Sequence, residues 1–164
     1  MDRVRLDDVE NSLGPAAVKR RLTEALGATD VALNHYELDP GDAFGFGYHR
    51  HDAQEEVFVV EAGTVTFETE DGPVEVSAGE AVRFGPGEFQ RGVNEGDERV
   101  RALAIGAPQD AGETEIRRDC PDCGERTPQT IQWAEEAEGL VTRCLDCDAV
   151  TGRFVHGEVE PREP

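Results

Sequence analysis

From Val31 onward the chain alternates apolar and polar positions in short runs broken by glycine, which is the period-two pattern of strands rather than the 3.6-residue period of helices. The spacing predicts strands over 31–38, 44–50, 57–60, 64–69, 74–76, 81–84, 90–93 and 100–105. Turns are expected at Asp39-Pro40-Gly41-Asp42, at Glu70-Asp71-Gly72-Pro73 and at the Gly85-Pro86-Gly87 corner. Many short strands at regular intervals imply an all-β sandwich or barrel. Alternation puts Val65 with Phe67, Val74 with Val76, Val82 with Phe84, and Leu103 with Ile105 on the apolar faces, so these are the expected core.

Outside this region the pattern changes. Pro15 to Leu26 has i, i+4 apolar spacing closed by Gly27, which suits a short helix, although Lys19-Arg20-Arg21 interrupts it and an edge strand fits as well. Ala107 to Glu113 is polar and reads as a linker. Beyond it, Thr130-Ile131-Gln132-Trp133 and Leu140-Val141-Thr142-Arg143 read as two strands around an acidic turn, Glu135 to Gly139. The expected organisation is an N-terminal arm over 1–30, a barrel over 31–107, a linker over 108–116, a cysteine module over 117–156 and a frayed tail over 157–164. A length of 164 residues suits one such barrel with a small appendage.

Composition narrows the setting. The formal charge is −20, from 36 acidic residues against 16 basic ones, and Lys19 is the sole lysine. Because the acids are spread along the chain, neither a disordered acidic tail nor a local acidic docking patch accounts for them. Self-repulsion of this size is screened at molar salt, where the Debye length is about 3 Å. The composition resembles that of haloarchaeal proteins. Duplex nucleic acid, a polyanion, is not an expected partner. No apolar run reaches the roughly 20 residues of a membrane span and no signal-peptide core follows Met1, so a soluble, cytoplasmic protein is expected.

His49-Arg50-His51 points two imidazoles to one face of a strand. Glu56 follows after four residues, and Gly63 lies in the Glu61-Ala62-Gly63-Thr64 hairpin turn. This series resembles the first cupin motif, with Ala43 where the motif opens on glycine. The spacing to Gly63 selects Glu56 over its neighbour Glu55. The second motif resembles the stretch from Gly79 through Gly85-Pro86-Gly87 to Asn94, with Gln90 at the histidine position. Over about residues 31–107 the resemblance implies a double-stranded β-helix, or jelly-roll, barrel with a metal held by His49, His51, Glu56 and, weakly, Gln90.

Two imidazoles and a carboxylate are the donor set of a non-haem Fe(II) site with open positions, and Mn or Ni would also suit it. The alternative is a metal-free barrel in which these groups hydrogen-bond one another and a small molecule. His35 shares a face with Val31 and Leu33 and reads as a buried core histidine. Arg50, Arg83 and Arg91 could clamp a carboxylate but read better as outward-facing partners of nearby acids.

The four cysteines form two pairs, Cys120-Pro121-Asp122-Cys123 and Cys144-Leu145-Asp146-Cys147, with twenty residues between them. Paired thiolates on two tight turns are the four-cysteine arrangement of structural zinc, and Gly124 permits the first turn. The module resembles a zinc ribbon; rubredoxin-like iron and disulfides are the alternatives.

Three functions follow as expectations. The first is a cupin that binds a small molecule at a divalent metal, with isomerase, decarboxylase or dioxygenase chemistry all compatible. The second is an iron dioxygenase resembling 3-hydroxyanthranilate dioxygenase, whose bacterial members also resemble a barrel followed by two Cys-x-x-Cys pairs; Gln90 departs from its histidine. The third is a non-catalytic metabolite sensor that meets a protein partner through the ribbon. Barrels of this type resemble edge-pairing homodimers, so a dimer is also expected.

Overall fold

The computed structural model describes residues 1–134, 139–155 and 158–159. The strands are β1 (Val18–Arg21), β2 (Ala32–Leu38), β3 (Tyr48–His51), β4 (Glu55–Ala62), β5 (Thr64–Thr69), β6 (Gly72–Ser77), β7 (Ala81–Phe84), β8 (Gln90–Val93), β9 (Val100–Ala107), β10 (Thr114–Cys120), β11 (Glu125–Trp133), β12 (Gly139–Cys144), β13 (Val150–Val155) and β14 (Glu158–Val159). A 3-10 turn spans Leu6–Asp8, and the α-helix among the described residues, α1 (Leu22–Leu26), follows β1 directly. The strands form two antiparallel sheets, in the order β1-β2-β9-β4-β7 and β14-β13-β12-β11-β10-β3-β8-β5-β6.

The N-terminal stretch satisfies both readings of its sequence. Val18 to Arg21 pair with Glu37 to Asn34 of β2, and α1 then ends at Gly27, whose φ of 64° supplies the left-handed cap. The arm is therefore part of the first sheet. Its Ala16 reaches the core, and buried Asp42 accepts hydrogen bonds from the Ala17 and Asp39 amides at 2.8 and 2.9 Å.

Between the sheets lies an aromatic core. Phe44, Phe58, Phe67 and Phe84 pack with ring centroids 4.7 to 6.2 Å apart. Burial of each such ring contributes about 1.5–3 kcal/mol. Val65, Phe67, Val76 and Phe84 fulfil the expected pattern, and Val82 packs against them.

Three expected core residues do not belong to it. Val74 is 46% exposed on β6, an edge strand. Leu103 and Ile105 turn outward, because β9 sends Val100, Ala102 and Ala104 inward. Alanine fits there: Ala102 sits between Tyr36 and Val60, and Ala104 has Phe58 beside it on β4. Bulk from the flanking strands already fills the space.

Two further departures concern the site. The strand expected from Phe44 begins at Tyr48. Before it, a side chain on Gly47 would come within 2.6 Å of the Arg117 carbonyl, and one on Gly45 within 2.9 Å of the His49 ring. Glycine lets the chain pass this close.

The expected linker does not tether a separate unit. From Thr114 onward it is β10, which pairs with β3 from Thr114↔His51 to Arg117↔Tyr48 and continues the barrel sheet into the cysteine module. The acidic turn over 135–138 and most of the tail over 157–164 lie outside the described residues. No helix among the described residues is long and apolar enough to cross a membrane.

Candidate metal centres

In β3 the alternation turns His49 and His51 inward and Arg50 outward. Glu56 comes from β4 of the opposite sheet, on the same face as Phe58, and Gln90 from β8 lies directly across from His49. Glu56 Oε2 is 3.8 Å from His49 Nε2 and 3.5 Å from His51 Nε2. The three ligand atoms fall within 4.8 Å of one another. The rival Glu55 points outward and receives Arg83 Nε at 2.6 Å.

Each imidazole is oriented from its far nitrogen. His49 Nδ1 is 3.0 Å from the Gly47 carbonyl, which can only accept, so Nδ1 carries a proton and Nε2 is left facing Glu56. His51 Nδ1 is 2.8 Å from the Thr114 hydroxyl. Anchoring of this kind is what metal-binding histidines require. Burial pushes the Glu56 carboxyl upward, but His49 and His51 outweigh it and hold the group ionised, down at about 2.

Gln90 completes the cluster. Its amide nitrogen donates to Glu56 Oε2 at 3.0 Å and lies 3.2 Å from His49 Nε2, while its buried Oε1 has no hydrogen-bond partner. An orphaned buried oxygen beside two imidazoles and a carboxylate fits a divalent ion, toward which a rotated amide would turn that oxygen.

Other expected residues fall elsewhere. Arg50 pairs with Glu115 at 2.9 Å, Arg83 with Glu55, and strand alternation sends Arg91 to the outer side of β8. His35, 4% exposed, lies on the outer side of the five-stranded sheet, where burial lowers its pKa. Asn94 is fully buried and donates to the Leu38 and Glu98 carbonyls, so its motif position is a loop tether. Gly63 is required by a φ of 75° and by Val100, 2.9 Å from where its Cβ would stand.

All four thiols converge within 4.8 Å. Cys120 Sγ lies 3.5 Å from Cys147 Sγ, and Cys123 Sγ lies 3.9 Å from Cys144 Sγ. These distances exceed a disulfide bond of about 2.05 Å. They bracket the roughly 3.8 Å between ligands of a tetrahedral ion with about 2.3 Å zinc–sulfur bonds.

Each pair sits on a tight turn: Gly124, at φ 72°, donates to the Cys120 carbonyl, and Asp148, at φ 65°, donates to the Cys144 carbonyl. The Thr127 hydroxyl lies 3.0 Å from Cys144 Sγ, and its hydrogen bond brings that thiol down to about 6. The donor set therefore fits zinc.

Sequence reasoning missed Thr114 and Gly47. No local signal marks Thr114, which lies 63 residues from His51 and meets it only through sheet pairing. Gly47 directly precedes β3, but its anchoring carbonyl is invisible in a side-chain pattern.

Comparison with known proteins agrees with the barrel fold. Residues 34–106 match the cupin domain family. A crystal structure of a sugar phosphate isomerase from a cupin superfamily, from Silicibacter pomeroyi, superposes with a TM-score of 0.59 at 21% identity, covering 91% of each chain. That share is larger than the barrel alone can fill. The polyketide cyclase RemF from Streptomyces resistomycificus gives 0.56 at 23% identity over 70% of this chain and 83% of its own. An uncharacterized conserved protein with a double-stranded β-helix domain from Klebsiella pneumoniae gives 0.57 at 20% identity over 70% and 89%. A search of curated proteins finds no match.

Proposed function

With residues 34–106 a cupin domain, we propose that the barrel holds a divalent metal, iron, manganese or nickel, on His49, His51 and Glu56 and uses it to bind a small molecule. The observation that carries this reading is the shared aim of two Nε2 atoms at one ionised carboxylate, with the His49 proton held on its far nitrogen. Such an ion would supply a Lewis acid with open coordination positions. The chain's own residues do the rest: Gly47 and Thr114 orient the rings, and buried Phe58 lies on the same face of β4 as Glu56.

The comparable barrels carry isomerase and cyclase descriptions, so the fold leaves the reaction open. With Gln90 in place of a third histidine, an iron dioxygenase of the 3-hydroxyanthranilate type has less support than simple metal-centred binding. One observation favours a metal-free sensor instead: the Gln90 amide already donates to Glu56 and reaches His49.

The four-cysteine cluster supports a structural zinc ion. The outer side of the five-stranded sheet, with half-buried Leu33, Val57, Val59, Leu103 and Ile105, supports a second copy as partner. The charge of −20 supports adaptation to high salt. Its check is a thermal midpoint that rises as salt goes from about 0.1 M to about 1 M, where the Debye length falls from about 10 to about 3 Å.

Elemental analysis of the wild type and of the His49→Ala, His51→Ala double variant tests the metal reading. Expected is one zinc in both proteins and a second metal in the wild type alone. Zinc alone in the wild type, after Fe(II), Mn(II) and Ni(II) have each been offered, leaves the sensor reading.

A further inference from the structure

The two ligand clusters share a strand. β10 begins at Thr114, whose hydroxyl meets His51 Nδ1, and ends at Cys120, one of the four convergent thiols. Between them, Ile116 pairs with His49. The histidine strand β3 pairs with β10 along its whole length but with β8 only at His49↔Gln90.

The segment before β3 is held from the same side. Arg118 donates one guanidinium nitrogen to the Phe46 carbonyl and another to the Thr151 carbonyl of β13 at 3.1 Å. The Phe46 ring meets Phe154 of β13 edge-on, centroids 4.9 Å apart. Phe46 is followed by Gly47, the acceptor for His49 Nδ1. The second cysteine turn joins β12 to β13, where the Cys144 amide donates to the Ala149 carbonyl. Both imidazole anchors therefore hang on strands that the cysteine turns tie together.

We propose that the four-cysteine module is a metal-dependent brace for the barrel site, with Thr114 as the positioning residue for His51. This rests on the metal reading given above for His49, His51 and Glu56. A small all-β unit whose ligands come from turns folds with its ion. Zinc bound at the thiols therefore fixes β10 and β13, and through them the directions of both rings. Losing that zinc loosens the barrel site without touching a barrel ligand. By linkage, an ion in the barrel raises the affinity of the thiols for zinc by the same factor.

Two readouts on the full chain test this. Amide hydrogen exchange compares zinc-loaded wild type with its chelated form and with Cys144→Ser. Expected is at least about tenfold faster exchange over Tyr48 to His51 when zinc is absent, with protection kept at Phe58 and Val60. Unchanged exchange over Tyr48 to His51 overturns the brace.

Cobalt(II) titration of zinc-loaded protein, followed by its visible spectrum, compares wild type, Thr114→Val and Thr114→Ser. Expected is about 10- to 100-fold weaker binding and an altered spectrum for the valine variant, as for other loss of an outer-shell partner, with serine restoring both. Equal affinities and spectra for valine and wild type overturn the positioning assignment. A wild type that takes no cobalt in the barrel overturns the metal reading, while the exchange data still decide the brace.

Discussion

Glu56 leaves from β4, which sends Phe58 and Val60 into a core of phenylalanine rings, whereas the four cysteines leave from two turns with little apolar mass beneath them. Every member of the main core cluster lies between Ala16 and Ala104. Among the described residues of the cysteine module, the buried hydrophobic positions are Cys120, Cys144, Val141 and Phe154. The contrast shows two ways of holding ligands. On the reading proposed above, the barrel takes its carboxylate from a core-packed strand and can satisfy it with Gln90, while the cysteine module relies on its ion for cohesion.

Removing zinc breaks the comparison most severely. Structural zinc contributes apparent binding energies of about 10–16 kcal/mol to small domains of this kind. Cys144→Ser is therefore expected to unfold β11 to β13 while the barrel stays folded. Limited proteolysis with mass spectrometry checks this through cleavage confined to the cysteine module. Next in size, Phe67→Ala removes a fully buried ring and is expected to cost about 3–5 kcal/mol, read as a lower thermal midpoint of the barrel. The cysteine turns should keep their zinc in that variant, as metal analysis would show.

Gln90→His sharpens the comparison by making the barrel donor set complete. Imidazole is a better ligand than an amide oxygen for transition metals. Titration calorimetry should show tighter binding by about tenfold or more, which corresponds to about 1.4 kcal/mol. An unchanged affinity would mean that residue 90 faces away from the ion.

The fold was largely legible because the period of two and the glycine punctuation survive in a sheet with one buried side: β5, β7 and β8 run as the spacing predicts. Glu56 was separable from Glu55 by its spacing to Gly63, and in the structure the shift of one residue sends Glu55 to the other face, onto Arg83. What escaped was non-local. β10, Thr-Glu-Ile-Arg-Arg-Asp-Cys, is mostly polar, and the ion pairs of Glu115 with Arg50 and Arg117 replace the apolar alternation that marks a strand. The outward turn of Leu103 and Ile105 was equally hidden, because it depends on bulk supplied by β2 and β4.

The smallest expected effect is one of pH. Burial lowers the pKa of His35 below 6.5, against the opposing charges of Glu37 and Glu61 and with those of Arg20 and Arg101. The unfolded chain therefore takes up the proton first. This contribution to stability is present above about pH 6.5 and is lost as pH falls through the lower, folded-state pKa. A His35→Gln variant should flatten that part of the pH profile of the urea midpoint. A profile identical to that of wild type would show that His35 titrates as it does in the unfolded chain.

Anomalous diffraction from crystals soaked in Fe(II), Mn(II) or Ni(II), recorded at the edge of the soaked metal and at the zinc edge, tests the two-centre account most directly. Expected are a zinc peak among Cys120, Cys123, Cys144 and Cys147 and a separate peak of the soaked metal bounded by His49 Nε2, His51 Nε2 and the Glu56 carboxylate. A zinc peak alone, with the Gln90 amide still bridging His49 and Glu56 after all three soaks, would contradict the barrel metal centre.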